Sequence, residues 1–522
     1  MDSVPLDVLC DVLVLLPVHA VLALRRTCRS LYAVTHLRTL WVLLFRTHVL
    51  DHCLPYPDVG PLADLSAHDL ESLTRRALAL RRTWSSPHPV PRRNITFNAP
   101  TEPTARVIFL QFLPGRSNRW LISVCMTARP RSYLLQCWDV APEQPTCVAE
   151  LRHADGPYGG VVLNSDPTSS AVLTLQSAQY NRTLSIHFHA DDPECAFVTQ
   201  ATIDGIRELH LLCGSTLVTR RMDDGALSLW DLTDLRQEKL QLLNPSLIQP
   251  DDRVQAIHIA HDYALVVRIQ SIEIYSTLPR PSLLAPRGIP IAYPLTQFKF
   301  QWRTDTVVLC PQHAPASSLP PPILLLVRFG SIYPWPVNVL HHYCLLPNST
   351  YPTGGRGRTP TPPSSPCAHA PLSPTHTPVT TEYNLPYDPR PYPTHTIGSP
   401  IRLFGQAATG LGRYGTALWL DNHTEAWLEP SERGQRLAGR VVRAGGPDGF
   451  DRGVGVGTGT GARTSTSEMT TGRGPAATSS DPGAPMLFGV RDDDAWTRIA
   501  MEEEAGRIAL GHVDGAITLL EY

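Results

Sequence analysis

The hydrophobic period of this chain changes once, near residue 94, and that change bounds what it can fold into. Upstream, apolar residues recur at intervals of three and four. Leu9, Val12, Leu13 and Leu16 are an example, and this is the spacing of one helical stripe. Downstream, apolar residues come in short β-rich runs between turn signals. The pattern predicts an α+β multidomain chain, with a few helices first and an all-β body making up most of the 522 residues.

The helical part can be read in more detail. Pro5 lies at the opening turn, where a missing N–H costs nothing. Asp7 sits where the helix dipole favours negative charge. Pro17 is expected to stop the first helix, because its ring clashes with the preceding turn. A second helix is predicted from about Ala20 to Leu31 and a third from about His36 to His48. Three such helices bury too little surface to stand alone, so their apolar stripe requires a cover. Ser66 and Asp69 then form a capping-box pattern ahead of Leu70, Leu73, Ala77 and Leu80. They predict a connecting helix anchored by Trp84, with Arg75, Arg76, Arg81 and Arg82 on its solvated face.

The opening residues run Val4-Pro5-Leu6-Asp7-Val8-Leu9-Cys10-Asp11-Val12-Leu13, then Leu15-Leu16-Pro17, Val21-Leu22-Ala23-Leu24, Thr27-Cys28-Arg29-Ser30-Leu31 and Leu40-Trp41. This succession resembles the F-box, the short helical module by which substrate receptors attach to cullin-based ubiquitin ligases. It departs from the family at Val4, where leucine is usual, and at Ala20, where an acidic residue is usual. The resemblance implies that residues 1–48 dock a Skp-type adaptor and, through it, a cullin. Pro5, Leu9, Val12, Leu13, Leu16, Pro17, Val21 and Leu22 would face that adaptor. A helical hairpin packed on the protein's own body is the alternative reading. Residues 49–93 are expected to be a linker carrying the connecting helix.

Several β-rich runs share a layout in which one run ends near a polar turn and the next ends in an aromatic residue. Trp138-Asp139 and Trp230-Asp231 end two runs, and Tyr275 ends a third. Asp224-Gly225 and Asp514-Gly515 supply hairpin turns. At roughly 40–45 residues per blade, Trp138 and Trp230 lie two units apart and Trp230 and Tyr275 one. The layout resembles a degenerate WD-repeat β-propeller of six or seven blades over residues 94–522; an irregular pair of β-sandwiches is the alternative. The terminal run 517–522 is expected to close the ring against a strand from its opening. Two stretches, 347–400 and 443–485, are dense in Pro, Thr, Ser, His or Gly and are expected to be disordered insertions. The first contains five proline-directed acceptors: Thr359, Thr361, Ser365, Ser373 and Thr377.

Taken together, the two resemblances imply a non-catalytic substrate receptor of an SCF-type ligase, in which the propeller holds an unknown target protein and catalysis is proximity. A propeller scaffold without ubiquitin transfer is the second reading. Arg220, Arg221, Arg303, Arg328 and Arg413 are target-binding candidates by residue type alone.

Other classes lack support. A formal charge of −2 leaves no electrostatic footprint for nucleic acid or an anionic membrane. The apolar run 12–24 is too short to cross a bilayer. The 11 cysteines are odd in number and contain no C-x-x-C, which suits a reduced intracellular compartment, cytoplasmic or nuclear. No metal or cofactor is expected. The close pairs His187/His189, His258/His261 and His341/His342 lack further ligands. The glycines at 453–461 have no strand before them and no helix after. No carboxylate pair stands out, so no catalytic residue is assigned. Among 45 basic residues, only Lys239 and Lys299 are lysines.

Overall fold

The computed structural model describes residues 5–98, 106–116, 119–128, 131–153, 159–177, 180–205, 207–221, 225–233, 237–245, 253–260, 262–278, 288–313, 320–330, 339–348, 351, 385–398, 408–422, 434–442 and 486–522. Five α-helices come first: α1 (Leu6–Val14), α2 (Val18–Leu24), α3 (Arg29–Val34), α4 (Arg38–Phe45) and α5 (Ala67–Trp84). Pro5 and Pro17 occupy the N-caps of α1 and α2. Pro17 therefore opens a helix as well as following one.

Two helix expectations are corrected. The segment expected as one helix over 20–31 is split into α2 and α3. The Thr27 hydroxyl donates to the Leu24 carbonyl at 2.8 Å, which satisfies an end group of α2. Arg25 is drawn sideways to Glu71 of α5 at 2.7 Å, and the redirected chain brings Leu31 and Val34 into the core. The expected helix 36–48 is α4 followed by a wide turn at Arg46–Leu50.

The cover that the apolar stripe requires comes from the chain itself. Cys10, Leu13, Val21, Trp41, Phe45, Val49, Leu54, Leu70 and Ala77 share one core. Residues 49–77 thus belong to the helical module and do not merely link it. The capping box forms as expected: Asp69 N donates to Ser66 Oγ at 3.2 Å, and Ser66 N to Asp69 Oδ2 at 3.2 Å.

The β body is a seven-bladed propeller. Blades 1 to 6 each take four strands, found within 106–153, 160–204, 207–242, 254–299, 304–398 and 409–491, and blade 3 gains a short fifth, Ile291–Ala292, parallel to Gln237–Leu242. Blade 7 takes three strands from 496–521 and its outermost strand, Arg93–Asn98, from the start of the β region. That strand pairs antiparallel with Ala516–Glu521, setting Arg93 opposite Glu521 and Phe97 opposite Ile517. The ring closes as the sequence predicts. Glu521 also binds Arg93 at 3.2 Å and Arg507 at 2.6 Å.

Trp138 and Trp230 end the third strands of blades 1 and 3, and Tyr275 that of blade 4. Each indole N–H donates to a hydroxyl on the second strand, Ser123 at 3.0 Å and Thr219 at 3.1 Å. A buried indole N–H needs such a partner.

One expected boundary moves. Tyr392–Gly398 is the outer strand of blade 5, pairing with Val339–Leu345, although it lies in the stretch expected to be an insertion. An outer strand tolerates Pro393, because only one of its edges is hydrogen-bonded. The insertion therefore falls between the third and fourth strands of the blade, and its proline-directed acceptors lie outside the described residues. So do residues 443–485, the glycines at 453–461, and the run 401–404 expected as a strand.

Candidate protein-interaction surfaces

The helix α1 is apolar on two sides. Leu13 is 2% exposed and faces the module's core, with Leu9 and Leu16 packed partly against it. A second stripe points outward: Val8, Val12 and Leu15 are 47%, 51% and 83% exposed, and Leu6, in the first turn, is 53% exposed. Val8, Val12 and Leu15 are spaced four and three apart, so they form their own face.

The eight residues expected to meet an adaptor are therefore divided. Pro5, Val12 and Pro17 are exposed; Leu9, Leu16 and Leu22 are half-buried; Leu13 and Val21 lie in the protein's own core. Leu9, Val12, Leu13 and Leu16 do not share one stripe. Leu6, Val8 and Leu15 were missed, although their spacing was legible.

The module sits on one face of the propeller. Within a blade the strands alternate in direction. The first-to-second and third-to-fourth turns therefore share one face, and the remaining connections share the other. Trp84 of α5 meets Phe488 and Tyr522 edge-on, at 6.1 and 6.2 Å between ring centroids. Arg76 donates to the Ala505 carbonyl at 3.3 Å. Gly506 has φ +67°, and a Cβ there would lie 2.7 Å from Leu80 Cδ1. Left-handed backbone and close approach both call for glycine. Farther round the ring, Tyr56 of the module reaches His313 of blade 5, and its carbonyl accepts from the Tyr414 hydroxyl of blade 6 at 3.2 Å. All of these contacts lie on the first-to-second and third-to-fourth turn side.

A carboxylate cluster underlies this junction. Glu503, fully enclosed, accepts from the backbone N–H groups of Tyr414 at 2.7 Å and Thr416 at 2.9 Å. Burial pushes its carboxyl up to about 7 against the pull of those bonds. Glu504 pairs with Arg413 at 2.9 Å.

The opposite face carries a cavity of about 670 Å³ between blades 4 and 5. Arg253, Gln270, Gln301, Trp302, Arg303 and Asp305 contribute to its wall. Trp302 is 53% exposed. Among the described residues, neither Arg253 nor Arg303 has a side-chain hydrogen bond or ion pair. Of the five arginines marked by type, only Arg303 lines the cavity. Arg220 pairs with Glu208 at 3.2 Å, Arg328 is buried against Asp305 at 3.4 Å, and Arg413 belongs to the module junction.

Among the described residues, no three His, Cys, Asp or Glu side chains are grouped to hold a metal ion. No described helix is long and apolar enough to cross a membrane. Neither a family model nor a curated protein sequence matches the chain. The fold and these two surfaces are those of a propeller suited to protein interaction.

Proposed function

We propose that this chain is the target-binding subunit of an SCF-type cullin ubiquitin ligase. The outward stripe of α1 docks a Skp-type adaptor, and the cavity face of the propeller holds the target. One observation carries the reading. Among the described residues, an apolar helical face without a cover and a cavity lined by Trp302, Arg253 and Arg303 lie on opposite sides of one packed body. A receptor that bridges a ligase and its target needs that separation, because transfer depends on a fixed distance between them. Three neighbouring exposed apolar side chains, Val8, Val12 and Leu15, are costly to leave in water and mark a docking site. Trp and Arg are the residues that most often dominate binding energy at an interface.

The test is a pull-down of the purified chain with a purified Skp-type adaptor, comparing wild type with a Val12→Asp, Leu15→Asp variant. Both positions face solvent, so the variant keeps its fold. Binding by wild type and loss in the variant is the expected result. Failure of a folded wild type to bind leaves a propeller scaffold outside the ligase system as the working reading.

A further inference from the structure

The whole chain carries only two side-chain amines, Lys239 and Lys299. Both lie on the fourth strands of neighbouring blades, Lys239 on Gln237–Leu242 of blade 3 and Lys299 at the end of Thr296–Lys299 of blade 4. Position therefore does not separate them, but their surroundings do. Lys239 is 57% exposed and is engaged by the buried carboxylate of Asp231. Burial alone would raise that carboxyl, yet bonds from Lys239 and Thr233 outweigh it and hold it down at about 2. Asp231 is thus ionised at every physiological pH and keeps the Lys239 ammonium in place. Lys299 is exposed, and its side chain has no hydrogen bond or ion pair among the described residues. It immediately precedes Phe300, which lines the cavity between blades 4 and 5.

We propose that Lys299 is the acyl-acceptor site of this protein, the amine that takes a carboxyl group delivered as a thioester. In the complex proposed above, that group is the C-terminus of ubiquitin on its conjugating enzyme, and to that extent the inference rests on the ligase reading. The ammonium of Lys299 first gives one proton to solvent. The free amine attacks the thioester carbonyl, a C–N bond forms, and the C–S bond breaks. The carrier's thiolate leaves and takes up the second proton. No further reactant is required. At Lys239 the same sequence must begin by breaking the contact with Asp231.

Two measurements on the full chain test this, one of which needs no ligase. In the first, the native protein is labelled with a limiting amount of an acetylating N-hydroxysuccinimide ester, and occupancy at each amine is read by mass spectrometry. Lys299 is expected to react at least about threefold faster than Lys239, the scale of an exposed ion pair. Equal rates, or faster labelling of Lys239, overturn the inference. In the second, wild type, Lys299→Arg and Lys239→Arg are incubated with adaptor, cullin, conjugating enzyme and ubiquitin. Conjugates on wild type and Lys239→Arg that vanish in Lys299→Arg support the proposal. Conjugates that persist on Lys299→Arg, through Lys239, the α-amine or a hydroxyl, overturn it. Absence of conjugates on every form, with the adaptor unbound, overturns the ligase reading; the ester labelling then decides the acceptor site by itself.

Discussion

The Tyr56 hydroxyl lies 3.1 Å from Nε2 of His313, across 257 residues of sequence. His313 Nδ1 faces Arg413 Nη2 at 2.9 Å, and a guanidinium can only donate. Nδ1 therefore accepts, and Nε2 carries the proton offered to Tyr56. Burial and the Arg413 charge push the imidazole down to about 4, so it is neutral at physiological pH. His313 thereby helps to seat the helical module on the propeller, alongside the contacts of Trp84, Arg76 and Tyr414.

Tyr56→Phe should cost about 1 kcal/mol, the net value of one hydrogen bond. A double-mutant cycle with His313→Ala, read by chemical denaturation, should give a coupling of about 0.5–1.5 kcal/mol. Additive effects would remove this contact from the account of module seating.

Glu503's own contribution to stability should fall as pH rises from about 4.5 to 7, against the rising contributions of the buried imidazoles of His210, His313 and His342. The raised Glu503 carboxyl binds a proton more tightly in the folded state than in the unfolded state. Its contribution is complete below the unfolded value and is lost as pH climbs through the folded one. The loss is about 2–3 kcal/mol over that window. Glu503→Gln should remove this falling component, so that in thermal melts taken from about pH 4.5 to 8 the variant gains more stability with rising pH than wild type. It should also lower stability throughout, because an amide cannot accept from both Tyr414 and Thr416. An unchanged slope would assign the pH dependence to other groups.

Neighbouring positions in α1 should behave oppositely. Leu13→Ala removes a core side chain and should cost about 2–5 kcal/mol. Val12→Asp changes an exposed position and should stay within about 0.5 kcal/mol of wild type. Comparable losses in urea denaturation would mean that the outward stripe is covered in solution.

Gly506→Ala should destabilise by more than 1 kcal/mol, about that much from the left-handed backbone alone and more from the clash with Leu80. Adding Leu80→Ala to make room should recover part of the loss. No recovery would place the whole cost in the backbone.

Trp302→Ala, with its ring more than half exposed, should leave the melting temperature within about 2 °C of wild type. Once a target is in hand, the same change should weaken its binding at least about tenfold, as expected of an aromatic anchor. Unaltered affinity would move the target site away from the cavity.

Much of the fold was legible because local chemistry and tertiary structure agree. The capping box at Ser66 and Asp69 needs only three residues of backbone. The inner strands are recognisable because both of their faces are buried, as in Ile323–Phe329, where every residue is buried and the sequence is apolar apart from Arg328. Outer strands are harder to find. Gln237–Leu242 reads QEKLQL; its first half is largely exposed, and nothing in it demands a strand until blade 3 presents an edge on one side and Ile291–Ala292 pairs with it on the other. The ring's repeat is likewise clearer in register than in residues. Blades 1, 3, 4, 5 and 7 each carry an irregularity near the start of the first strand pair, and such bulges increase local twist.

By itself, the sequence determined the order of helix and strand, the two resemblances, and the pairing of the last strand with the first. These rest on period, turn chemistry and spacing, all of which are local properties of the chain. Only the tertiary structure decided which stripe of α1 is left exposed, because α1 is apolar on both sides and the module's own core, α4 foremost, covers one of them. It likewise decided that the helical module and the cavity lie on opposite faces. That arrangement depends on which turns share a side once seven sheets have closed into a ring, and no stretch of sequence contains that information.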